Sequence, residues 1–302
     1  MPEHEHGNGP QAVALIVNPR AGGGRGDRAR AVATEILRER AVDFECFETS
    51  HKEGTGPATR GALQAAYEEI WIIGGDGTVR DALKPIVEAG ATLGVIPAGT
   101  SNCLAMELGM PMAVGAAVDW LLAQPVGGAD LGRCNGQLFS VRVGIGLEAL
   151  AARITERNKQ GVGKLAYALA GIKAIREGRP MQMSVRAGST LVYEGGAIGS
   201  IISNVALHPL LSFAGRQRVR PADGLLHLTI AHDAPVLAHF SDWLAGAAHG
   251  DPHLEQITEG LAPSFGIEVQ GGGEVHLDGQ CIGPQSHLEI ECLPRRLKVR
   301  GG

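Results

Sequence analysis

Residues 72–83, IIGGDGTVRDAL, set one carboxylate, Asp76, among the glycines Gly74, Gly75 and Gly77. Glycine lets a backbone turn sharply and approach a phosphate closely, with its amides free to donate. Because Asp76 would repel a bare phosphate, we expect it to bind a divalent cation that bridges it to the phosphate, or to take a proton from an attacking hydroxyl. The simpler alternative is a solvated Asp in a glycine-rich turn.

The residues that follow this loop predict the start of a helix. Thr78 is a good N-cap residue, and Asp81 would complete a Thr-x-x-Asp capping box. The amino end of the helix would then face the same ligand, and helix N-termini bind anions well.

Two further segments have compositions that suit phosphate. Residues 18–26, NPRAGGGRG, combine glycines with guanidinium groups, and residues 94–102, GVIPAGTSN, end in glycine, hydroxyl and amide groups. Guanidinium groups suit phosphate oxygens because they can donate two parallel hydrogen bonds. Three such loops predict a phosphate site more strongly than any one of them.

The elements around these loops alternate between strands and helices. The predicted strands are 12–17, 42–47, 70–73 and 92–96, and the predicted helices are 27–40, 57–67 and 79–88. This order predicts an α/β fold with a doubly wound, mostly parallel sheet. Ligands bind such sheets outside the carboxyl ends of the strands, where all three loops fall.

Beyond residue 126 the pattern changes to shorter apolar runs separated by Gly, Pro and polar residues. Such runs are typical of a β-rich domain with an antiparallel sheet or sandwich. We therefore predict an α/β domain over 10–125, which the last residues, 293–302, could rejoin, and a β-rich domain over 126–292. The predicted strands of the second domain include 137–143, 267–269 and 274–277, and its predicted helices are 164–177 and 235–248.

Composition limits the class of protein. The chain has 302 residues, and 44% of them are hydrophobic, which suits about two globular domains. A net charge of −5 gives no overall basic field, so we predict no nucleic-acid partner. The five cysteines are widely spaced without a Cys-x-x-Cys pair, which is typical of reduced thiols in a cytosolic protein. No apolar run has the length that a membrane span needs.

Segments along nearly the whole chain resemble the diacylglycerol kinase catalytic family, which includes bacterial lipid kinases and sphingosine and ceramide kinases. The segments are VNPRAGGGRG at 17–26, GGDGTVRDAL at 74–83, GVIPAGTSNCLA at 94–105, GIGLEA at 144–149, PADGLLHLTI at 221–230 and LDGQ at 277–280. GGDGT alone would also fit NAD kinases. The resemblance implies an α/β nucleotide-binding domain and a β-rich acceptor-binding domain, with the active site in a cleft between them.

The resemblance also implies how a nucleotide would bind. ATP would lie along Asn18, Thr49, residues 74–78 and Thr100, with Mg²⁺ near Asp76. Mg²⁺ neutralises charge during phosphoryl transfer. The implied cofactors are therefore ATP and Mg²⁺.

On the acceptor side, the resemblance implies that Asp278 of LDGQ is the general base that takes the proton from a substrate hydroxyl. Asp223 of PADGLL matches a site where some bacterial relatives hold a structural Mg²⁺, with backbone oxygens near Arg220 and Leu225. For Asp223 alone, a simple Asp-Gly turn explains the pattern equally well.

The chain departs from the family pattern at positions that usually carry acids. Cys103, Gln280 and His227 stand where the family usually has carboxylates, and Arg80 stands where Asn is common. Neutral Cys and Gln side chains cannot hold a metal or orient a base as a carboxylate does, so metal use, rate or substrate could differ. Arg80 either contacts phosphate or is an ordinary exposed helix residue.

Two other motifs have weaker functional interpretations. Cys103 near a helix N-terminus could be a nucleophilic thiol, but no His partner lies at a suitable spacing. Residues 144–149 fit a Gly-x-Gly-x-x-Ala dinucleotide fingerprint, but the acid expected about 20 residues later is missing. As part of the family pattern, these residues would instead line the acceptor side.

A lipid acceptor implies contact with a membrane surface. An apolar stripe on 164–176 would line a lipid entrance or pack in the core. We expect a cytoplasmic protein that binds transiently at the inner face of the membrane. Its oligomeric state is left open, a homodimer included. Basic residues for the membrane contact, which alternatively form solvated strand faces, are Arg216, Arg218, Arg220, Arg295, Arg296, Lys298 and Arg300.

The sequence leaves three candidate functions. The first is an ATP-dependent lipid kinase that phosphorylates a hydroxyl of a diacylglycerol-like or sphingoid lipid. The second is a kinase of a soluble substrate, similar to NAD kinase, in which Asp76 rather than Asp278 would be the base. The third is a nucleotide- or lipid-binding relative that has lost turnover with its missing acids.

Overall fold

The computed structural model describes most of the chain. The described residues are 10–50, 52–157, 180–205, 222–233 and 257–301. The helices predicted at 164–177 and 235–248, and the basic residues Arg216, Arg218 and Arg220, lie outside these ranges.

The chain divides into two compact units. Unit 1 contains Met1–Ala129 and Arg295–Gly302, and unit 2 contains Asp130–Pro294. The last residues of the chain therefore belong to the same unit as its first strands.

Unit 1 contains a parallel sheet. Its strands are β1 (Ala12–Val17), β2 (Asp43–Glu48), β3 (Glu69–Gly74) and β4 (Thr92–Pro97). β1 pairs with β2 on one side and with β3 on the other, and β3 pairs with β4. The strand order therefore reverses between β1 and β3, and in open α/β sheets such a reversal is where ligands bind.

Burial explains the continuous apolar runs of the central strands. The residues from Val13 to Val17 and from Ile70 to Ile73 are fully buried, as expected for a parallel sheet that is covered on both faces. β2 lies at the sheet edge and alternates between exposed and half-buried residues. At the other edge, Lys298 and Val299 near the end of β13 (Gln280–Arg300) pair with β4 in parallel.

Helices connect the strands of unit 1. α1 contacts α5, and α2 contacts α3. α3 ends at Gly90, whose φ of 67° is the left-handed conformation that glycine adopts without strain. The helices are α1 (Ala21–Glu39), α2 (Gly56–Gln64), α3 (Asp76–Ala89), α4 (Cys103–Glu107) and α5 (Val114–Ala123).

Unit 2 is built mainly from antiparallel strands, as predicted, and eight of its strand pairs are antiparallel. The long strands β9 and β12 each pair with β7 along one half and with β8 along the other. The elements are β5 (Val126–Cys134, which begins in unit 1), β6 (Gln137–Phe139), β7 (Arg142–Gly146), α6 (Leu147–Arg157), β8 (Met181–Ala187), β9 (Thr190–Ser203), β10 (Leu226–His232), β11 (Ile257–Ala262), β12 (Ser264–Leu277) and most of β13.

The strands of unit 2 enclose a hydrophobic core. Val143 and Ile145 of β7, Leu228 of β10 and Phe265 of β12 are buried together in it. Because side chains alternate along a strand, their neighbours in sequence point to the opposite face. That second face carries Arg142 and other polar residues considered below.

Candidate active site

The loops after β1 and β3 are joined by hydrogen bonds at the point where the strand order reverses. The amide of Asn18 donates to the carbonyl of Ile73 (3.0 Å), and its Nδ2 donates to the Oγ1 of Thr78 (3.0 Å). Thr78 is buried in the first turn of α3. The structure therefore brings together Asn18 and Thr78, two of the predicted nucleotide-binding residues.

The loops after β3 and β4 touch backbone to backbone. A Cβ on Gly75 would lie 2.9 Å from the Cα of Gly99, and a Cβ on Gly99 would collide with the Cα of Gly75. Asn102 closes the second loop, because its Oδ1 accepts from the Gly99 amide (2.9 Å) and its Nδ2 donates to the Gly99 carbonyl (3.1 Å). A side chain on either glycine would separate the two loops.

The predicted capping box at Thr78 and Asp81 is wrong. α3 begins earlier, at Asp76, with Gly75 as its N-cap, and no side-chain hydrogen bond from the described residues caps it. The reason is the extended conformation of Gly75 (φ −116°, ψ −175°), which starts the helix early and leaves Thr78 inside it. Asp81 pairs with its neighbour Arg80 instead (2.7 Å). An uncapped helix start offers its first amides to an anion.

Asp76, in the first turn of α3, connects this helix to α4. Its Oδ1 accepts a hydrogen bond from the amide of Leu104, in the first turn of α4 (3.3 Å). Negative charge is favourable at a helix N-terminus. The carboxylate of GGDGT is therefore oriented by the first turn of α4, which follows the loop after β4.

The glycine loops leave open space for a ligand. A Cβ at Gly23, Gly24 or Gly77 would meet no atom of the described residues within 4 Å. Gly23 and Gly24 have φ values of 75° and 94°, so the regular part of α1 begins only after them. Backbone at such positions can be approached closely by phosphate oxygens. The loops therefore fit the phosphates of ATP.

Arg25 has a different role from the phosphate contact that its segment suggested. Its Nε donates to the carbonyl of Gly22 (3.0 Å), and its Nη2 donates to the carbonyl of Gly99 (2.7 Å). Arg25 therefore joins the loop after β1 to the loop after β4. The signal in the sequence is its position directly after a run of glycines, whose exposed carbonyls need donors.

The other predicted nucleotide-binding residues also follow strands of unit 1. Thr49 follows β2, and its amide donates to the carbonyl of Val17 (2.9 Å). Thr100 follows Gly99 and is exposed. Arg80 is not an ordinary exposed helix residue, because its side chain is only 18% exposed and pairs with Asp81.

The acidic residues of unit 1 would bind Mg²⁺ only if the phosphates of a bound nucleotide supplied the other ligands. Within the described ranges, no group of three or more His, Cys, Asp or Glu residues could hold a metal ion. Mg²⁺ in nucleotide sites is usually held by one or two carboxylates and by substrate phosphates. Asp76, beside the open glycine loops, suits that arrangement.

The Mg²⁺ site predicted at Asp223 stays a prediction. The Oδ1 of Asp223 accepts from the amide of Leu225 (3.0 Å), as in an Asx turn. The amide of Gly224 donates to the buried carboxylate of Asp130 (2.7 Å). Arg220 lies outside the described residues.

Asp278 lies in the two-residue hairpin turn between β12 and β13. Leu277 pairs with Gln280 across the turn, and Asp278 and Gly279 have φ values of 46° and 82°. Positive φ at both central residues is the signature of a type I′ turn, for which Asp-Gly is a favoured pair. The LDGQ segment therefore has a structural role that the sequence analysis did not assign.

The carboxylate of Asp278 binds the break between β6 and β7. Its Oδ1 accepts from the amides of Val141 (2.9 Å) and Arg142 (2.8 Å). Its Oδ2 accepts from the amide (2.8 Å) and the hydroxyl (3.0 Å) of Ser140. A carboxylate has about four acceptor positions, so donors of the chain itself occupy them.

The residues that replace the usual acids lie in different environments. Gln280 is exposed at the start of β13, and Cys103 is the first residue of α4. His227 is buried in β10, and burial lowers the pKa of its imidazole. Its Nε2 lies 3.6 Å from the Oε1 of Glu259. His227 is therefore a neutral buried side chain and does not replace the charge of a carboxylate.

The dinucleotide fingerprint at 144–149 lacks its required surroundings. The segment does run from a strand, β7, into a helix, α6. Both strands that pair with β7 are antiparallel to it, whereas the fingerprint belongs to a parallel βαβ unit. The segment is thus not a dinucleotide-binding turn.

The proposed membrane contact at Arg300 is wrong. Arg300 is 4% exposed, and its Nη2 lies 2.7 Å from the Oε1 of Glu69. Its Nη1 also donates to the carbonyl of Gln124 (2.8 Å). Arg296 and Lys298 are exposed and stay candidates for that contact. None of the described helices has the length and apolar composition needed to span a membrane.

Comparison with known proteins identifies the family. The diacylglycerol kinase catalytic domain matches residues 12–134. A diacylglycerol kinase of Bacillus subtilis (strain 168) is 30% identical over 285 residues, which cover 88% of this chain and 88% of that protein. The chain therefore belongs to the diacylglycerol kinase catalytic-domain family, a family of kinase-type phosphotransferases, as its motifs predicted.

Solved structures confirm the α/β fold with two domains. A diacylglycerol kinase from Bacillus anthracis str. Sterne has a TM-score of 0.72 and 23% identity, and the match covers 96% of each chain. An NAD kinase from Archaeoglobus fulgidus, solved in complex with ATP, is more distant, with a TM-score of 0.50 and 12% identity over 95% of this chain and 92% of that one. The likeness to NAD kinase extends to the fold alone.

Proposed function

We propose that the protein is an ATP-dependent lipid kinase that transfers the γ-phosphate to a hydroxyl of a diacylglycerol-like or sphingoid lipid. The observation that carries the proposal is the start of α3, where Asn18, Gly75, Asp76 and Gly99 join the loops after β1, β3 and β4 around an uncapped helix N-terminus. The reversal of strand order between β1 and β3 supports a doubly wound sheet with this site at its switch point.

Unit 1 binds the nucleotide in this proposal. The first amides of α3 and those of the loop after β1 donate to phosphate oxygens. Asp76 is the carboxylate that would hold Mg²⁺, which supplies charge neutralisation on the transferred group when it is bound. The hydrogen bond from Leu104 to Oδ1 fixes the orientation of that carboxylate.

Unit 2 supplies the proposed base, Asp278. The amides of Ser140, Val141 and Arg142 hold the carboxylate in place. The Ser140 hydroxyl also donates to Oδ2, and it can rotate away without any movement of the backbone. A substrate hydroxyl would take that position on Oδ2 and give up its proton there, a step that typically contributes about 10² to 10⁴ in rate.

The test is phosphotransfer from Mg-ATP to vesicles that contain diacylglycerol, monoacylglycerol, a sphingoid base or ceramide, with products identified by mass spectrometry. Asp76→Asn keeps an oxygen for the Leu104 amide but removes the charge, so we expect a folded protein without product. The matched control is Asp43→Asn, at the amino end of β2 and away from the loops, which should keep full activity. A folded wild-type protein that phosphorylates none of these lipids would contradict the proposal.

A kinase of a soluble substrate is the second candidate, because the acceptor positions of Asp278 are occupied. In that case Asp76 is the base, NAD added to the same assay is phosphorylated, and Asp278→Asn keeps normal turnover. A relative without turnover is the third candidate, since Cys103 and Gln280 replace acids. This third candidate predicts that the wild-type protein binds ATP but forms no product. It also predicts that the double variant Cys103→Asp, Gln280→Glu transfers phosphate.

We also propose that the acceptor is taken from an anionic membrane surface by transient contact. Arg296 and Lys298 are exposed near the chain end, and each basic residue near such a surface contributes about 1 kcal/mol. Replacing both with Gln should weaken co-sedimentation with anionic vesicles. Unchanged co-sedimentation would remove these residues from the contact.

A further inference from the structure

Both sides of the Asp278 turn are tied to one buried carboxylate. The amide of Arg142 donates to the Oδ1 of Asp278 (2.8 Å), and the amide of Asp278 donates to the carbonyl of Arg142 (2.9 Å). The Nε of Arg142 lies 2.6 Å from the Oε1 of Glu148. The Oε2 of Glu148 lies 3.1 Å from the Nε2 of His276. The Nδ1 of His276 accepts a hydrogen bond from the amide of Gly279 (3.0 Å). These contacts form a closed circuit, which runs from Asp278 through Arg142, Glu148 and His276 to Gly279 of the same turn.

The polar side chains of this circuit are buried. The side chains of Arg142, Glu148 and His276 are 12%, 11% and 2% exposed. Burial disfavours the ionised carboxylate, but Arg142 and His276 outweigh it and hold the pKa of Glu148 below its usual value. Because a buried ion pair is costly to break on one side only, loss of any one member should disturb the others.

His276 connects the carboxylate to the turn through its two nitrogens. Its Nδ1 accepts from the Gly279 amide, so the ring proton lies on Nε2 and faces Glu148. The imidazole thus accepts a hydrogen bond on one side and makes a close polar contact with the Oε2 of Glu148 on the other. A side chain that lacks either function opens the circuit.

Gly144 of the GIGLEA motif explains how these side chains meet. Gly144 pairs with His276 across β7 and β12. A Cβ on Gly144 would collide with the Oε2 of Glu148 and the Nε2 of His276. Glycine at this position leaves the space in which Glu148 contacts His276.

We propose that Arg142, Glu148 and His276 are positioning residues that set the orientation of the Asp278 carboxylate for phosphoryl transfer. The inference rests on the proposed kinase function and adds to it a role for the GIGLEA motif. The circuit holds the turn from two directions, through the backbone of Arg142 and through the amide of Gly279. The orientation of Asp278 therefore depends on the buried carboxylate of Glu148.

The test begins with Glu148→Gln, which keeps the size of the side chain and removes its charge. We expect the amides of Val141, Arg142 and Gly279 to exchange with solvent at least about tenfold faster. The amides of β3 in unit 1 should exchange as in the wild type. In the phosphotransfer assay, kcat should fall about tenfold or more while the KM for ATP stays unchanged.

Two substitutions of His276 test whether an acceptor for the Gly279 amide is needed. The Oδ1 of Asn can take the place of Nδ1 as the acceptor for Gly279, whereas Ala offers no acceptor. His276→Asn should therefore keep more of the Gly279 protection, and more of kcat, than His276→Ala. If Glu148→Gln does not fold, this pair decides the proposal, and equal effects of the two substitutions would overturn it.

The matched control is Glu291→Gln. Glu291 also pairs with an arginine of unit 2, Arg133 (2.7 Å), but these side chains are 47% and 44% exposed. Wild-type exchange rates and kcat are expected for it. Equal exchange rates in Glu148→Gln and Glu291→Gln would overturn the proposal, and so would faster exchange with an unchanged kcat. If the wild-type protein phosphorylates no lipid, the kinase function fails, while the exchange rates still decide whether the circuit holds the turn.

Discussion

Gly75 and Gly99 pack backbone against backbone, so that a Cβ on either residue would fall on the other loop. The contact joins the loop that carries Asp76 to the loop that carries Thr100. A Cβ on Gly77, two residues from Gly75, would instead contact nothing in the described part of the chain. These glycines therefore serve two different purposes, close packing between loops and access for a ligand.

Alanine substitutions at Gly99 and Gly77 should distinguish close packing between the loops from access for a ligand. Gly99→Ala forces the loops apart, so we expect a lower Tm and weaker ATP binding. Gly77→Ala adds a methyl group where nothing is in contact, inside a helix that favours Ala over Gly, so Tm should hold while ATP binding weakens. Thermal unfolding and titration calorimetry with ATP measure both. Wild-type ATP affinity in Gly77→Ala would mean that the phosphates lie elsewhere.

Substitutions of Ser140 and Asp278 should differ in their effect on kcat. Ser140→Ala removes a rotatable hydroxyl donor and keeps the amide donors of Ser140, Val141 and Arg142 on Asp278. We expect kcat to be retained, because a substrate hydroxyl takes the vacated position. Asp278→Asn removes the base and should lower kcat about 100-fold or more. An equal loss in both variants would assign the proton transfer to Ser140 instead.

The buried pair of Arg300 and Glu69 should stabilise unit 1. Arg300→Ala leaves Glu69 without its charged partner at 13% exposure, and breaking such a pair costs about 3 kcal/mol. Arg40→Ala is the control, because Arg40 and Asp119 are 58% and 49% exposed and such pairs contribute less than about 1 kcal/mol. Urea unfolding measures both. Equal decreases in the free energy of unfolding for the two variants would show that the pair of Arg300 and Glu69 does not stabilise the C-terminal strand.

The stability of the protein should fall at acid pH in part because of His227. Burial lowers the pKa of this imidazole below its ordinary 6.5. Below pH 6.5 the unfolded chain therefore binds a proton that the folded chain does not, and the free energy of unfolding decreases as the pH falls. The Oε1 of Glu259 lies 3.6 Å from the Nε2 of His227, and burial still lowers the pKa of the imidazole.

His227→Gln should flatten this pH dependence. Denaturant unfolding between pH 5 and about pH 8, the range in which histidines titrate, measures the slope. His287→Gln, at a site that is 56% exposed, controls for the loss of one imidazole from the unfolded chain. A slope in His227→Gln that equals that of the wild type would show that His227 is not the group responsible.

The first half of the fold could be predicted from sequence because its signals are local. Residues 12–17 are one apolar run and form β1 with the predicted bounds, and the strands at 70–73 and 92–96 differ from β3 and β4 only at their ends. Propensity did not show where α3 starts, because the extended conformation of Gly75 sets that point. The order of the strands was enough to predict that the three glycine-containing loops lie together at the carboxyl ends of the strands.

The second half depends on contacts between distant residues. Residues 137–143 predict one strand, but the structure breaks it at Ser140 and Val141, whose amides bind Asp278. No local pattern marks that break, because its cause lies more than a hundred residues later in the chain. Similarly, 267–269 and 274–277 belong to one strand, β12, whose pairing shifts at the glycines between them.

The most direct test of the lipid kinase follows labelled phosphate from ATP into lipid without any choice of acceptor. The protein is incubated with Mg²⁺, γ-labelled ATP and vesicles made from a total membrane lipid extract, and the label in the organic phase is counted. The account predicts label in the organic phase for the wild-type protein and Asp43→Asn, and none for folded Asp76→Asn. ATP binding by the wild-type protein, with no label in the lipid, would contradict it.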